Sequence, residues 1–145
     1  LLGDTRTGAY SAIHAGWRGT VESIVIKSVE KMRKFFGTKT ENLICAIGPA
    51  ATIKHYEIGQ DVIDAFAKNF PNSQHLFEPT RTGHAKIDLH LANKEQLLSV
   101  GVNPENIDIA PFCTMERTDL FFSYRVEKRK FGKTGRLLSV IGRKN

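Results

Sequence analysis

The sequence predicts a single domain of mixed α/β class. Short apolar runs of strand length alternate with longer segments in which apolar residues recur at helical spacing. The chain has 145 residues, of which 41% are hydrophobic, and this is enough for one compact core. No repeat, low-complexity segment or linker divides it. No run approaches the roughly 20 consecutive apolar residues of a membrane-spanning helix, so we expect no membrane partner.

The N-terminal third predicts a strand followed by a long helix. The strand covers Ala9 to Ala15, and the helix begins after Gly19 and ends before Gly37. Thr20 is predicted to cap the helix start, and basic residues near Gly37 suit the negative end of the helix dipole. The apolar stripe comprises Val21, Ile24, Val25, Met32 and Phe35 or Phe36.

A continuous apolar strand is predicted at Leu43 to Ile47, closed by Gly48-Pro49. Runs of this kind are typical of strands covered on both faces. The order strand, helix, strand indicates a crossover unit in a partly parallel sheet. The remaining predicted elements are two helices, from Gly59 to Pro71 and from about Asp88 or Leu89 to Val100, and two strands, Ile107 to Ala110 and Arg136 to Ile141.

Positive charge is concentrated at the C-terminal end. The net charge is +6; the segment from Arg125 onward has eight basic residues against Glu127 alone, and the rest is close to neutral, with 13 basic and 14 acidic residues. Such a segment is usually a solvated tail, and the alternative is a basic module for phosphate-bearing ligands or nucleic acid. Because no nucleic-acid-binding motif accompanies it, we expect no nucleic-acid partner. The basic residues are Arg125, Lys128, Arg129, Lys130, Lys133, Arg136, Arg143 and Lys144.

The two cysteines, Cys45 and Cys113, are too few for a disulfide framework and form no Cys-x-x-Cys pair. No signal-peptide pattern opens the chain, so we expect a reducing, cytoplasmic setting. Cys45 lies inside an apolar strand and is predicted to be a core residue. Cys113 is predicted to be a buried, inert thiol, with a site-lining role as the alternative.

The segment from His14 to Thr20 is the most unusual in the chain. Two glycines bracket Trp17 and Arg18 where a strand is predicted to pass into a helix. Glycines at such a turn let the backbone approach a ligand, and Arg18 can bind a phosphate or carboxylate with two parallel hydrogen bonds. The alternative is a tight turn with a core tryptophan and a surface arginine.

The segment His14-Ala-Gly-Trp-Arg-Gly-Thr20 is similar to the signature of the YfiH-like family, also called the laccase-domain or multicopper polyphenol oxidase family. The resemblance runs from about residue 5 to residue 142. Further stretches agree with the family in order and spacing: Ala46-Ile-Gly-Pro-Ala50, Tyr56-Glu-Ile-Gly59, Ile87-Asp-Leu89 with Ala92-Asn93 and Gln96-Leu97, Cys113-Thr114, Phe121-Phe-Ser-Tyr-Arg125 and Thr134-Gly-Arg136.

The resemblance implies a fold shared with the catalytic domain of cytotoxic necrotizing factor. That fold is a layered α/β arrangement in which mixed sheets are packed between helices. Residues 1–145 match the C-terminal portion of a single domain of this kind, so we expect a longer parent protein. The sheet edge beside Ala9 to Ala15 would otherwise be uncovered, and the alternative is a homodimer through that edge.

The resemblance also implies a zinc site, with copper as the less favoured metal. Family members hold the metal with a His in a Val-His-Gly-like segment, a Cys in an Ala-Asp-Cys segment, and the His that matches His14. Neither Cys45 nor Cys113 matches that cysteine, and both other ligands are expected upstream of Leu1. Because a single histidine cannot form a three-ligand site, we expect the chain alone to be inactive.

The activities implied are phosphorolysis of purine nucleosides and deamination of adenosine, with a purine nucleoside and phosphate as ligands. His14 and Arg18 are the predicted catalytic residues, and Arg18 and Arg125 the predicted phosphate-binding residues. Arg125 matches the first arginine of a Phe-Phe-Ser-Tyr-Arg-Arg motif, but Val126 replaces the second. The predicted pocket-lining residues are Trp17, Glu57, Asn93 and Cys113, each with a structural role as the alternative.

Other functions remain open on the sequence. The toxin's Cys–His pair suggests a thiol hydrolase in which His14 is the base for an upstream cysteine, and editing of a cell-wall precursor belongs to this alternative. A copper polyphenol oxidase would need several copper sites, for which five histidines and two cysteines are a poor supply. The last alternative is the basic binding module already described.

Overall fold

The computed structural model describes residues 1–143, so Lys144 of the predicted basic segment lies outside the described residues. The mixed α/β class is confirmed. The strands are β1 (Leu2–Asp4), β2 (Tyr10–Ser11), β3 (Leu43–Ile47), β4 (Glu57–Gly59), β5 (Phe77–Pro79), β6 (His84–Ile87) and β7 (Ile107–Ile109). The α-helices are α1 (Trp17–Val21), α2 (Ile24–Phe36), α3 (Gln60–Asn69), α4 (Leu89–Ser99) and α5 (Tyr124–Phe131). Among the described residues, no helix combines the length and the apolar character that crossing a bilayer requires.

The chain forms two compact units. The first unit contains residues 1–48, 91–110 and 139–143. The second unit contains residues 49–90 and 111–138. That residues 1–145 belong to one larger domain stays a prediction.

The first unit contains a four-stranded sheet in the order β2-β1-β3-β7. β1 is antiparallel to both β2 and β3, whereas β3 and β7 are parallel. β2 and β3 therefore run in the same direction, as the predicted crossover requires, but β1 lies between them. The predicted strand from Ala9 to Ala15 is too long, because only Tyr10 and Ser11 have partners on β1.

The predicted long helix is interrupted at Ser23. This residue adopts the left-handed conformation, with φ 59° and ψ 40°, which a non-glycine residue rarely takes. The interruption separates α1 from α2, so Thr20 lies inside α1 and does not cap the long helix. Val25, Val29 and Met32 of α2 are buried, whereas Phe35 and Phe36 are 68% and 58% exposed. The predicted apolar stripe is therefore wrong in its last turn. Met32 is the last residue of α2 that packs into the core, and Phe35 and Phe36 lie beyond it.

Two of the strand predictions need correction. On β3, Leu43 and Cys45 are buried but Ile44 is 51% exposed, so the described residues cover only one face of the strand. The segment from Arg136 to Ile141 forms no strand. Its backbone joins neither of the two sheets that the described residues form, and Leu138 is 87% exposed.

The second unit contains the antiparallel sheet β4-β6-β5 and the helix α3. α3 confirms the predicted helix after Gly59, and its buried residues are Val62 and Phe66. Phe66 is fully buried, and its ring contacts those of Phe70 and Phe77 at 5.8 Å between centroids. None of the three strands was predicted, since each has only three or four residues.

The buried carboxylate of Asp4 ends β1 and organises the turn that follows. Its Oδ1 accepts hydrogen bonds from the N–H groups of Arg6 at 2.8 Å and Thr7 at 3.0 Å. Burial raises the pKa of the Asp4 carboxyl, but the bonds from Thr7 and Arg6 outweigh it and lower the pKa to about 2. The folded protein therefore binds this proton less readily than the unfolded chain does.

We expect the Asp4 carboxylate to stabilise the fold fully above its unfolded pKa and to lose this contribution as the pH falls towards its folded pKa of about 2. Lowering the pH from 5 towards 2 should remove about 1–2 kcal/mol of unfolding free energy through this carboxylate. Urea unfolding of wild type and of Asp4→Asn between pH 3 and pH 7 measures the effect: the variant should be less stable at pH 7, and the difference should shrink in acid. Asp108→Asn, at an exposed position on β7, is the control, and an equal pH dependence for Asp4→Asn and wild type would contradict the assignment.

Candidate functional site

His14 lies in the connection between β2 and α1, three residues beyond the end of the strand and not at its end as predicted. Its side chain is exposed. Two glycines leave room for it. A Cβ atom on Gly16 would lie 3.3 Å from Nε2 of His14, and one on Gly19 would lie 3.4 Å from the His14 carbonyl oxygen. A side chain at Gly16 would therefore crowd the imidazole, and one at Gly19 would crowd the backbone of His14.

Trp17 and Arg18 form a stacked pair at the start of α1. The guanidinium carbon of Arg18 lies 4.4 Å from the centroid of the Trp17 ring. A guanidinium that stacks through its face keeps its N–H donors in the plane, where they can bind an oxyanion. This geometry agrees with the predicted phosphate-binding role of Arg18, which stays a prediction.

A buried polar network joins α1 to α4. The Thr20 hydroxyl lies 3.3 Å from the carbonyl oxygen of Ala15 and 3.1 Å from Nδ2 of Asn93. Nε2 of Gln96 donates to the Thr20 carbonyl at 2.6 Å. Thr20, Asn93 and Gln96 are all at most 5% exposed. Asn93, predicted to line a pocket, is thus placed where it anchors the segment that carries His14.

The anchoring role of Thr20 and Gln96 was not predicted from the sequence. The signal was present, because Asn93 and Gln96 are three residues apart on one helix face and flanked by apolar residues. Polar residues on an apolar face need partners inside the core. Thr20, at the end of the signature, supplies one.

Removing the Thr20 hydroxyl should destabilise the first unit. Thr20→Val keeps the shape of the side chain but deletes the group that contacts Ala15 and Asn93, so we expect a loss of about 1–3 kcal/mol in unfolding free energy. Urea unfolding followed by circular dichroism measures it. Thr82→Val, at an exposed position, should change the free energy by less than about 0.5 kcal/mol. A Thr20→Val protein as stable as wild type would show that the network carries no net energy.

Arg125 and Glu57 come together in the second unit, although 68 positions separate them. Arg125, near the start of α5, donates from Nη1 to the carbonyl oxygen of Glu57 at 3.0 Å. Its guanidinium carbon lies 5.1 Å from the centroid of the Tyr56 ring. α5 itself was not predicted, because its sequence is dominated by charged residues.

The side-chain carboxylate of Glu57 binds Thr80 and Arg81. Its Oε1 accepts from the Thr80 hydroxyl at 2.8 Å, and its Oε2 from Nη2 of Arg81 at 3.1 Å. The hydrogen bonds from Arg81 and then Thr80 lower the pKa of Glu57, so the carboxylate is ionised at neutral pH.

Cys113 is buried in the second unit and forms an isolated parallel bridge with Ala50. Burial raises the pKa of its thiol, but hydrogen bonds from the hydroxyl and N–H of Thr52 and from the N–H groups of Met115 and Glu116 outweigh it and lower the pKa. Cys45 is also buried, and there desolvation raises the pKa to about 11. Both cysteines are free thiols.

The described residues do not by themselves complete a metal site. Within residues 1–143, no group of three or more His, Cys, Asp or Glu side chains is placed to hold a metal ion. His14 can supply one imidazole nitrogen, and the donors that a three-ligand zinc site still needs are not among its described neighbours. The zinc site therefore stays a proposal.

The fold and the His14 connection define a protein of YfiH type. The structure superimposes on YfiH from Bacillus licheniformis with a TM-score of 0.82 and 27% identity, covering 88% of this chain and 48% of that one. It superimposes on YlmD from Geobacillus stearothermophilus with a TM-score of 0.74 and 33% identity, covering 79% of this chain and 43% of that one. Residues 1–144 match the sequence model of the family described as multi-copper polyphenol oxidoreductase laccase. The chain belongs to this family.

The curated relatives are named for a different activity from the family. A purine nucleoside phosphorylase from Bacteroides thetaiotaomicron is 41% identical over 143 residues, which are 97% of this chain and 52% of the relative. A purine nucleoside phosphorylase from Staphylococcus epidermidis is 41% identical over 137 residues, 94% of this chain and 49% of the relative. The chain thus spans about half the length of the curated relatives it matches.

Proposed function

We propose that the whole protein catalyses the phosphorolysis of purine nucleosides. The observation that carries this proposal is the identity of 41% to a purine nucleoside phosphorylase over 97% of the chain. In this reaction a phosphate oxygen forms a bond to C1′ of the ribose, the bond from C1′ to the purine nitrogen breaks, and the base leaves with a proton. The products are ribose 1-phosphate and a free purine. A cytoplasmic setting suits these ligands.

Arg18 and Arg125 are each proposed, independently of the other, as a residue that binds a phosphate oxyanion. The guanidinium of Arg18 lies over the Trp17 ring and that of Arg125 over the Tyr56 ring, so each is supported on one side and keeps N–H donors that can bind oxyanions. Fixed positive charge next to the reacting carbon places the nucleophile and lowers the entropic cost of its attack. The two arginines belong to different units, and each is proposed on its own contacts.

His14 is proposed to be one of three zinc ligands, with the other two supplied from outside the described residues. A zinc ion with three protein ligands and an open position supplies a Lewis acid and an activated water. This chemistry also suits deamination of adenosine, in which water adds to C6 and ammonia leaves. Deamination is therefore proposed as a second activity of the same site.

Product analysis tests the proposal. A version of the protein extended to the length of its relatives is incubated with adenosine or inosine, with and without phosphate. Phosphorolysis predicts phosphate-dependent release of adenine or hypoxanthine together with ribose 1-phosphate, and deamination predicts phosphate-independent formation of inosine from adenosine. Absence of both in a metal-replete, folded protein would overturn the proposal. Activity that survives complete chelation but not thiol alkylation would indicate the thiol hydrolase instead.

A further inference from the structure

The orientation of Arg125 is set by two contacts inside the second unit. Its guanidinium carbon lies over the Tyr56 ring, 5.1 Å from the ring centroid, and the carbonyl oxygen of Glu57 accepts from Nη1 at 3.0 Å. The side chain is otherwise exposed. Stacking uses the face of the guanidinium and leaves the in-plane donors for hydrogen bonds. Arg125 is thus an exposed cation whose orientation is restricted by two contacts.

The Glu57 carboxylate would oppose an anion bound at Arg125 if it were not neutralised. The backbone carbonyl of Glu57 accepts the hydrogen bond from Arg125. The same residue carries a negative side chain, which is therefore close in the chain to the contact that orients Arg125. Arg81 and Thr80 engage both carboxylate oxygens, at 3.1 Å and 2.8 Å. The positive charge of Arg81 therefore cancels a negative charge that would otherwise repel an oxyanion or compete with it for the guanidinium.

The sheet explains how these residues meet. Glu57 is on β4 and pairs with Lys86 of β6, whereas Thr80 and Arg81 lie in the turn between β5 and β6. Backbone hydrogen bonds from Thr80 to the His84 carbonyl and from His84 to the Arg81 carbonyl close this turn. The turn thus holds Arg81 beside the carboxylate by backbone geometry.

We infer that the second unit carries an oxyanion-binding subsite built on Arg125, in which Tyr56 and Arg81 are positioning residues. Tyr56 fixes the plane of the Arg125 guanidinium, and Arg81 keeps the Glu57 carboxylate paired. The ligand class is a phosphate oxyanion, either free or as the phosphate group of a nucleotide. The inference rests on the proposed function for the choice of phosphate as the oxyanion.

Direct binding to the 145-residue chain tests this inference without requiring any turnover. Binding of inorganic phosphate and of adenosine 5′-monophosphate is measured by NMR titration. We expect Arg125→Ala to weaken binding at least roughly tenfold. Tyr56→Leu should weaken it roughly threefold, while Tyr56→Phe keeps the ring and the affinity. Binding of both ligands would show that the subsite accepts free phosphate. Binding of the nucleotide alone would show that it requires the phosphate group of a nucleotide.

A charge-restoring double variant separates the role of Arg81 from a purely structural one. Arg81→Ala should weaken binding by roughly threefold or more, because it leaves the Glu57 carboxylate unpaired. Arg81→Ala combined with Glu57→Gln has the net charge of wild type and should bind within roughly twofold of it. Failure of that restoration would overturn the role of Arg81.

Lys130→Ala is the matched control, since it removes one exposed cation from a face of the same helix α5 that points away from Arg125. It should change the affinity by less than roughly twofold, because a single exposed charge on another face of the helix contributes little. An effect as large as that of Arg125→Ala would show diffuse attraction by the basic segment and would overturn the subsite. So would a chain that binds neither ligand. Because no nucleoside is cleaved in these titrations, loss of the proposed phosphorylase activity would leave a positive binding result standing.

Discussion

Replacing His14 by alanine in the extended protein should lower nucleoside turnover by about 1,000-fold. The reason is ligand count: the proposed zinc site would keep only two of its three ligands, and would then bind its metal weakly and without fixed geometry. His14 is exposed and contributes no buried packing, so the variant should fold normally. Turnover of adenosine and inosine, zinc content and the circular dichroism spectrum are measured on the same preparation.

Two further variants sharpen this test. Gly16→Ala keeps the imidazole but places a methyl group 3.3 Å from Nε2 of His14, so it should reduce turnover without deleting a ligand. His75→Ala removes another exposed histidine, in the second unit, and should leave turnover within about twofold of the starting protein. A His14→Ala protein that retains stoichiometric zinc and full turnover would remove His14 from the site.

The long periodic segments of the fold could be predicted from the sequence. α3 repeats its apolar positions over nearly three turns, and α4 was located by the apolar residues Leu89, Ala92 and Leu97 ahead of Gly101. β1, β4 and β5 have three residues each, too few for any alternation to show. The interruption at Ser23 was not visible either, because serine carries no signal for a left-handed conformation. These features depend on contacts that a local pattern does not contain.

The candidate site, like the fold, could be predicted from the sequence only in part. The segment from His14 to Thr20 is contiguous, so its glycines and polar residues could be identified together in the sequence. The stack of Arg125 on Tyr56 and the pair of Arg81 with Glu57 join residues that are distant in sequence, and only the folded second unit brings them together. Tyr56 and Glu57 belong to the stretch Tyr56-Glu-Ile-Gly59, which resembles the family. Nothing in the neighbouring sequence indicated which arginines they would contact.

The largest single loss of stability is expected at Phe66. This side chain is fully buried on α3 and contacts Phe70 on one side and Phe77 of β5 on the other, the latter edge to face. Phe66→Ala removes the aromatic group that joins the helix to the sheet and leaves a cavity that the surrounding backbone fills only in part. We expect a loss of about 3–5 kcal/mol in unfolding free energy, a large share of the 5–15 kcal/mol that is typical of a domain.

Urea unfolding followed by circular dichroism measures this loss, with Phe131→Ala as the matched control. Phe131 is 62% exposed at the end of α5, in the same unit, so the same chemical change there should cost less than about 0.5 kcal/mol. Phe66→Leu keeps most of the buried apolar volume and should recover part of the loss, because the cost depends on the cavity that remains. Equal stability of Phe66→Ala and Phe131→Ala would mean that the contacts of Phe66 with Phe70 and Phe77 do not hold the second unit together.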